Sequence, residues 1–125
     1  LLQNTSTFKA EIDRIRLILQ AIEQDEKVIL LIDEMLRGTN SEDKLAGSLA
    51  MLDRIVESKV YGLVATHDLR MAEIKEENTQ HVRNYYFEFS TNGGDLAFDY
   101  QLREGVCKSF NASLLLQSIG LFLKK

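Results

Sequence analysis

At 125 residues, 45% apolar and 27% charged, the chain has the size and composition of one small globular domain or of part of a larger one. Its net charge of −4 excludes a global basic field for nucleic acid or anionic membrane, and no apolar run approaches membrane-spanning length. The lone Cys107 cannot close an internal disulfide and fits a reducing cytoplasm, and no signal peptide is expected. The chain opens Leu1-Leu2-Gln3 without a methionine and reads as an excised piece of something longer.

Leu1 to Thr5 is expected to be a loop, with Ser6 or Thr7 as the N-cap of a first helix. Phe8, Ile12, Ile15, Leu19 and Ile22 form its apolar stripe, Glu11 and Asp13 lie near its positive end, and it finishes near Gln24-Asp25-Glu26. The aliphatic run Val28-Ile29-Leu30-Leu31-Ile32 has no alternation and predicts a strand over about 27–33, buried on both faces as in a parallel sheet. A turn over Gly38 to Ser41 follows, with Ser41 as N-cap of a second helix running to about Ser58. That helix carries Leu45, Leu49, Leu52 and Ile55/Val56 on one face, while Ala46, Gly47 and Ala50 would permit close approach to the sheet. A second strand, about Val60 to Ala65, ends in Thr66-His67-Asp68. Strand, helix, strand at this spacing predicts a parallel, right-handed βαβ crossover.

Beyond Ile74 the character changes. Lys75-Glu76-Glu77-Asn78 reads as a solvated link. Tyr85, Phe87 and Phe89, then Leu96, Phe98, Tyr100 and Leu102, alternate with polar or small residues on either side of Asn92-Gly93-Gly94, which predicts a β-hairpin with one buried face. Ser113 to Phe122 reads as a short terminal helix.

Two acids, Asp33 and Glu34, close the first strand, where open α/β sheets place their ligands. Either the pair ends the strand and caps a turn, or it serves a hard cation such as Mg²⁺, one carboxylate holding the ion and the next directing a nucleophilic water. Thr66 and His67 close the second strand and face the same crevice in a parallel pair. His67 either hydrogen-bonds a loop there or serves an anion or an attacking water. His81 has nothing clustered with it and reads as surface.

Leu30 to Asp43, with its core Asp33-Glu34-Met35-Leu36-Arg37-Gly38-Thr39-Asn40, resembles the Walker B segment and following loop of the MutS family of DNA mismatch repair ATPases. Ser6-Thr7-Phe8 with Glu11 is similar to that family's signature loop, Ala65-Thr66-His67 to its switch motif, and Asp99-Tyr100-Gln101-Leu102 with Gly105 to its late hairpin. The motifs fall in the family's order and span nearly the whole chain. The resemblance implies an α/β, P-loop NTPase-like (ABC-type) partial domain with a parallel βαβ core, a C-terminal β-hairpin and a short helix, residues 1–125 forming the second half of the ATPase domain. It implies ATP and Mg²⁺ as cofactors, Asp33 at the metal, Glu34 activating water and His67 sensing the γ-phosphate. Ser6 and Thr7 then belong to a loop reaching the nucleotide of a second subunit, and Thr39, Asn40 and Asp43 to the loop between the paired sites. A homodimer or heterodimer is implied, with DNA bound through other domains and no membrane role.

The departures are as informative. The phosphate-gripping Gly-x-x-x-x-Gly-Lys-Ser/Thr loop is absent from these residues, and the Lys108-Ser109 pair follows Cys107 where that loop requires glycine. The 125 residues alone are therefore expected to bind ATP weakly or not at all and not to hydrolyse it. Leu36 stands where the family usually has glycine before the arginine, and Phe110-Asn111-Ala112-Ser113 replaces a Ser-Tyr-Gly, variants that point to a MutS-like paralogue. An ABC or SMC relative would carry a Leu-Ser-Gly-Gly signature before Val28, and none is present. The alternative from another class is a non-catalytic dimerisation or interaction module derived from an ABC-type ATPase.

Overall fold

A computed structural model of the chain describes residues 2–24, 27–74, 80–92, 95–108, 116–117 and 119–121. The predicted link at residues 75–78 and most of the predicted terminal helix lie outside these. The chain separates into two units, Leu1–Val82 and Arg83–Lys125.

In the first unit the aliphatic run forms strand β1, Ile29–Asp33, which pairs in parallel with β2, Tyr61–Ala65, from Ile29↔Tyr61 to Asp33↔Ala65. The crossover between them is helix α2, Ser41–Ser58, as its spacing predicts. The expectation of a strand buried on both faces is corrected. Leu30 is buried and Ile32 and Val64 pack against the core, but Ile29, Leu31, Tyr61 and Leu63 on the opposite face are between 72% and 81% exposed. An unbroken aliphatic run marks a strand with two apolar faces; it does not supply a layer to cover the second.

Helix α1, Leu2–Glu23, begins well before its expected cap. Leu2 to Thr5 are helical, and Ser6 and Thr7 lie inside the helix instead of at its N-cap. Once the stripe from Phe8 to Ile22 is anchored on the core, each residue added upstream extends an existing helix. Serine and threonine lower helix propensity by only a few tenths of a kcal/mol, roughly, so they do not stop it. Glu11 is consequently in mid-helix, and the first turn holds no acid for the dipole to favour.

Asn40, not Ser41, caps α2. Its Oδ1 accepts from the Asp43 N–H at 2.9 Å while its Nδ2 donates to Asp43 Oδ2 at 2.9 Å, a reciprocal pair that Ser41 would have to displace. The buried line of α2 runs through Ser48, Met51 and Ile55, with Leu45, Leu49 and Leu52 flanking it. The core joins these to Leu30, Met35, Leu36 and Met71, the last on a 3-10 helix, Leu69–Glu73, that Asp68 caps.

The second unit is the predicted hairpin, β3 (Tyr85–Asn92) antiparallel to β4 (Asp95–Glu104). A bulge opposite Glu88 takes up two extra residues of β4 and puts Tyr100 at φ 57°. The Gly105 N–H donates to the Asn84 carbonyl at 2.8 Å and closes the base of the ribbon at φ 121°, a conformation that suits glycine. The expected buried face is not buried: Tyr85, Phe87, Phe98 and Leu102 are exposed. A two-stranded ribbon has no second layer of its own to enclose it. Leu116 and Gln117 are helical, but their carbonyls accept from Leu121 and Gly120 in a helix-ending pattern, so the helix stops short of the expected Phe122. No helix among the described residues is long and apolar enough to cross a membrane.

Candidate functional site at the carboxyl ends of β1 and β2

The ladder between the two strands continues one residue past β1, where the Glu34 N–H donates to the Ala65 carbonyl at 2.9 Å. There the chain turns sharply. Glu34 at φ 56° and Leu36 at φ 57° both occupy the left-handed region, which costs on the order of 1–2 kcal/mol for each non-glycine residue. Such strain persists only where the surroundings over-determine it. For Leu36 the surroundings are the core. Its side chain is buried, and a methyl at Gly47 would stand 2.5 Å from Leu36 Cδ1. Gly47 therefore makes room for Leu36 itself, a tighter role than the general approach to the sheet expected for it. A glycine at this position would take the same φ without that cost.

Glu34 is fixed by its side chain. The Thr66 hydroxyl donates to Oε1 at 2.9 Å, the His67 N–H donates to Oε2 at 3.0 Å, and Lys44 Nζ lies 3.2 Å from Oε1. Thr66 Oγ1 in turn accepts from the Asp68 N–H at 3.0 Å. Burial pushes the Glu34 carboxyl up, but the His67 amide, the Thr66 hydroxyl and the Lys44 ammonium together outweigh it and hold the group below its ordinary value. Glu34 is thus an anion at neutral pH, and the tips of both strands are tied together through it. The link to His67 is made by its backbone; the imidazole is exposed. Behind this cluster Asp68 forms a two-point pair with Arg70 at 2.8 and 2.9 Å, and Arg70 reaches Glu42 in the first turn of α2 at 3.6 Å.

The segment after Met35 is held from the other side by α1. Both oxygens of Glu11 accept backbone N–H groups, from Arg37 and from Gly38, each at 3.0 Å. Gly38 lies so close to the helix that a methyl there would meet Phe8 Cβ at 2.8 Å. The Arg37 guanidinium turns back toward β1, donating to the Asp33 carbonyl at 3.2 Å and standing 3.9 Å from its carboxylate.

Of the residues singled out from sequence, Asp33, Glu34 and His67 stand at one end of the sheet. Asp33 is the last residue of β1 with its side chain 87% exposed, whereas that of Glu34 is 11% exposed. Thr7 is exposed within α1, and Ser6 is there too, its side chain outside the described set. Thr39 is half-buried in the turn, and Asn40 and Asp43 are engaged with each other in the cap. Among the described residues no group of three or more His, Cys, Asp or Glu could hold a metal ion. A preassembled cage is not what Mg²⁺ on a phosphate requires, since it takes one or two carboxylates and completes its shell with water and phosphate oxygens. An exposed Asp33 fits that donor set.

The sequence marks Glu11 as a dipole partner and as part of the signature-loop resemblance, but not as the acceptor of the Arg37 and Gly38 amides. Lys44 was not singled out, although a cation in the first turn of a helix opposes the dipole and is itself a signal.

A family model described as MutS domain V matches residues 1–116. The chain belongs to the MutS family. It is 32% identical over 117 residues to human MutS protein homolog 4, covering 89% of the chain and 12% of that protein. To DNA mismatch repair protein MSH3 of Vanderwaltozyma polyspora it is 34% identical over 117 residues, covering 87% of the chain and 11% of the relative. To the DNA mismatch repair protein MutS of Thermus aquaticus it is 31% identical over 100 residues, covering 80% and 12%. This MutS-family chain thus spans about an eighth of the length of the relatives it matches.

Proposed function

We propose that this chain is the Walker B half of a MutS-type, P-loop NTPase-like ATPase, coupling nucleotide state to DNA handling by other domains in a homodimer or heterodimer. Asp33 would hold Mg²⁺ through its exposed carboxylate, and the ion, when bound, neutralises charge on the phosphates. Glu34 accepts the proton of the attacking water, and His67 faces the γ-phosphate. Ser6 and Thr7 in the second turn of α1, and Thr39, Asn40 and Asp43 around the cap of α2, belong to contacts with the nucleotide and with the second subunit. The phosphate-gripping loop must come from residues other than these 125. The glycine variant at Leu36 favours a MutS-like paralogue over a dedicated mismatch reader, a reading that binding to mismatched, branched and plain duplex DNA would decide.

The observation that carries this proposal is the Glu34 carboxylate joined to the Thr66-His67 turn across two parallel strand tips. An acid whose side chain is only 11% exposed at that edge is costly unless it is used or compensated. In the full-length protein, Glu34→Gln is expected to lower Mg²⁺-dependent ATP turnover by about 10²–10⁴-fold, the usual worth of a general base, while ATP binding is retained. Unchanged turnover in that variant would remove the assignment. The second reading, a non-catalytic interaction module, is favoured by the exposed apolar face of the sheet, and it predicts an intact protein with no turnover for Glu34→Gln to lose.

A further inference from the structure

We propose that Lys44 is a positioning residue for Glu34, pinning Oε1 so that Oε2 is the atom that receives the proton of the attacking water. The inference rests on the ATPase reading above and adds a residue and an atom to it. A carboxylate offers about four lone-pair positions. Thr66 and Lys44 both approach Oε1, at 2.9 and 3.2 Å, and fill that oxygen. The His67 N–H takes one position on Oε2 at 3.0 Å, which leaves the remaining acceptor position, among the described contacts, on Oε2 alone. Thr66 has its single hydroxyl proton committed to Glu34, because an ionised carboxylate only accepts, while its oxygen accepts from the Asp68 N–H.

The Lys44 contact is not explained by the needs of the helix that carries it. Lys44 lies in the first turn of α2, where a cation works against the dipole. The neighbouring cation, Arg70, is engaged with Asp68 and Glu42. Lys44 also acts on Asp68 through its charge, but its direct contact is with Glu34, in a pair whose side chains are only 25% and 11% exposed and so are poorly screened by water. Without it, Oε1 keeps one neutral donor, and the carboxylate can rotate about its terminal torsion and present either oxygen.

The test is steady-state ATP hydrolysis with Mg²⁺ by the full-length protein, comparing wild type, Glu34→Gln, Lys44→Ala and Lys44→Arg, with thermal unfolding of each. Lys44→Ala is expected to lower kcat on the order of ten-fold with KM changed less than about two-fold, the signature of lost orientation. Lys44→Arg is expected to recover most of that kcat. Should Lys44→Ala fail to fold, Lys44→Arg against Lys44→Gln carries the same comparison. A kcat for Lys44→Ala that is unchanged or raised overturns the proposal, the latter because Lys44 would then restrain Glu34. An effect confined to KM, or a Lys44→Arg no better than alanine, overturns it as well. If Lys44→Ala is silent while Glu34→Gln is inactive, only the role of Lys44 falls; if Glu34→Gln retains full turnover, the general-base assignment that the proposal rests on falls with it; and a wild type without turnover removes the ATPase reading itself.

Discussion

Ser48 is 1% exposed, and its Oγ has no hydrogen-bond partner among the described residues. A buried hydroxyl left unpaired costs about 1–3 kcal/mol, and alanine is both smaller and the better helix former. Ser48→Ala is therefore expected to stabilise the chain by about 1 kcal/mol in denaturant unfolding, on the cost of such a group. A loss of stability would mean that the hydroxyl has a partner, such as a water. This residue shows where sequence reading reaches its limit. The apolar stripe of α2 is legible as Leu45, Leu49, Leu52 and Ile55/Val56, and Ile55 is buried as expected, but the burial of Ser48 and Met51 beside it depends on which way the helix is rotated about its axis. Only packing sets that angle. The pairings of Lys44 and Glu11 are illegible for the same reason: their partners lie 10 and 26 or 27 positions away, and nothing local marks the contact.

Between elements, the turn after β1 is built by mutual accommodation with α2. Leu36 adopts a left-handed conformation and fills the space that Gly47 leaves. Gly47→Ala is expected to destabilise by about 1–3 kcal/mol, the usual cost of overpacking. In a Leu36→Ala background most of that cost should vanish, giving a coupling energy of about 1 kcal/mol or more in a double-mutant cycle. Additivity would show that Gly47 and Leu36 do not share this space. The elements themselves were legible: β1, α2, β2 and the hairpin lie within a few residues of their expected positions, because aliphatic runs bounded by polar residues, the helical stripe of α2 and the alternation of the hairpin are all local patterns. The start of α1 was not, because Ser6-Thr7 is a good cap only if the helix begins there, and the Leu2–Thr5 segment contains nothing that breaks a helix.

Across the whole molecule the most consequential feature is the uncovered sheet face. Ile29 pairs with Tyr61 and Leu31 with Leu63, and all four side chains project from the face opposite the core. A contiguous apolar patch of this kind, on a two-stranded sheet with open edges, drives association. The 125-residue chain is expected to show a weight-average mass that rises with concentration in sedimentation equilibrium, and Leu31→Lys with Leu63→Lys should suppress the rise. A monomer at every concentration would show that the face is tolerated in water.

The linear pattern of side chains was sufficient for the order of elements, the parallel βαβ unit and the family resemblance, because aliphatic runs, turn residues and short motifs are properties of neighbours along the chain. What only the folded arrangement decided was how far the strands are covered, which residue caps α2, and that the Glu34 carboxylate is gripped by Thr66, His67 and Lys44. Those are distances between segments far apart in the chain. A hydrogen bond of about 3 Å is either made or not according to how the helices settle on the sheet.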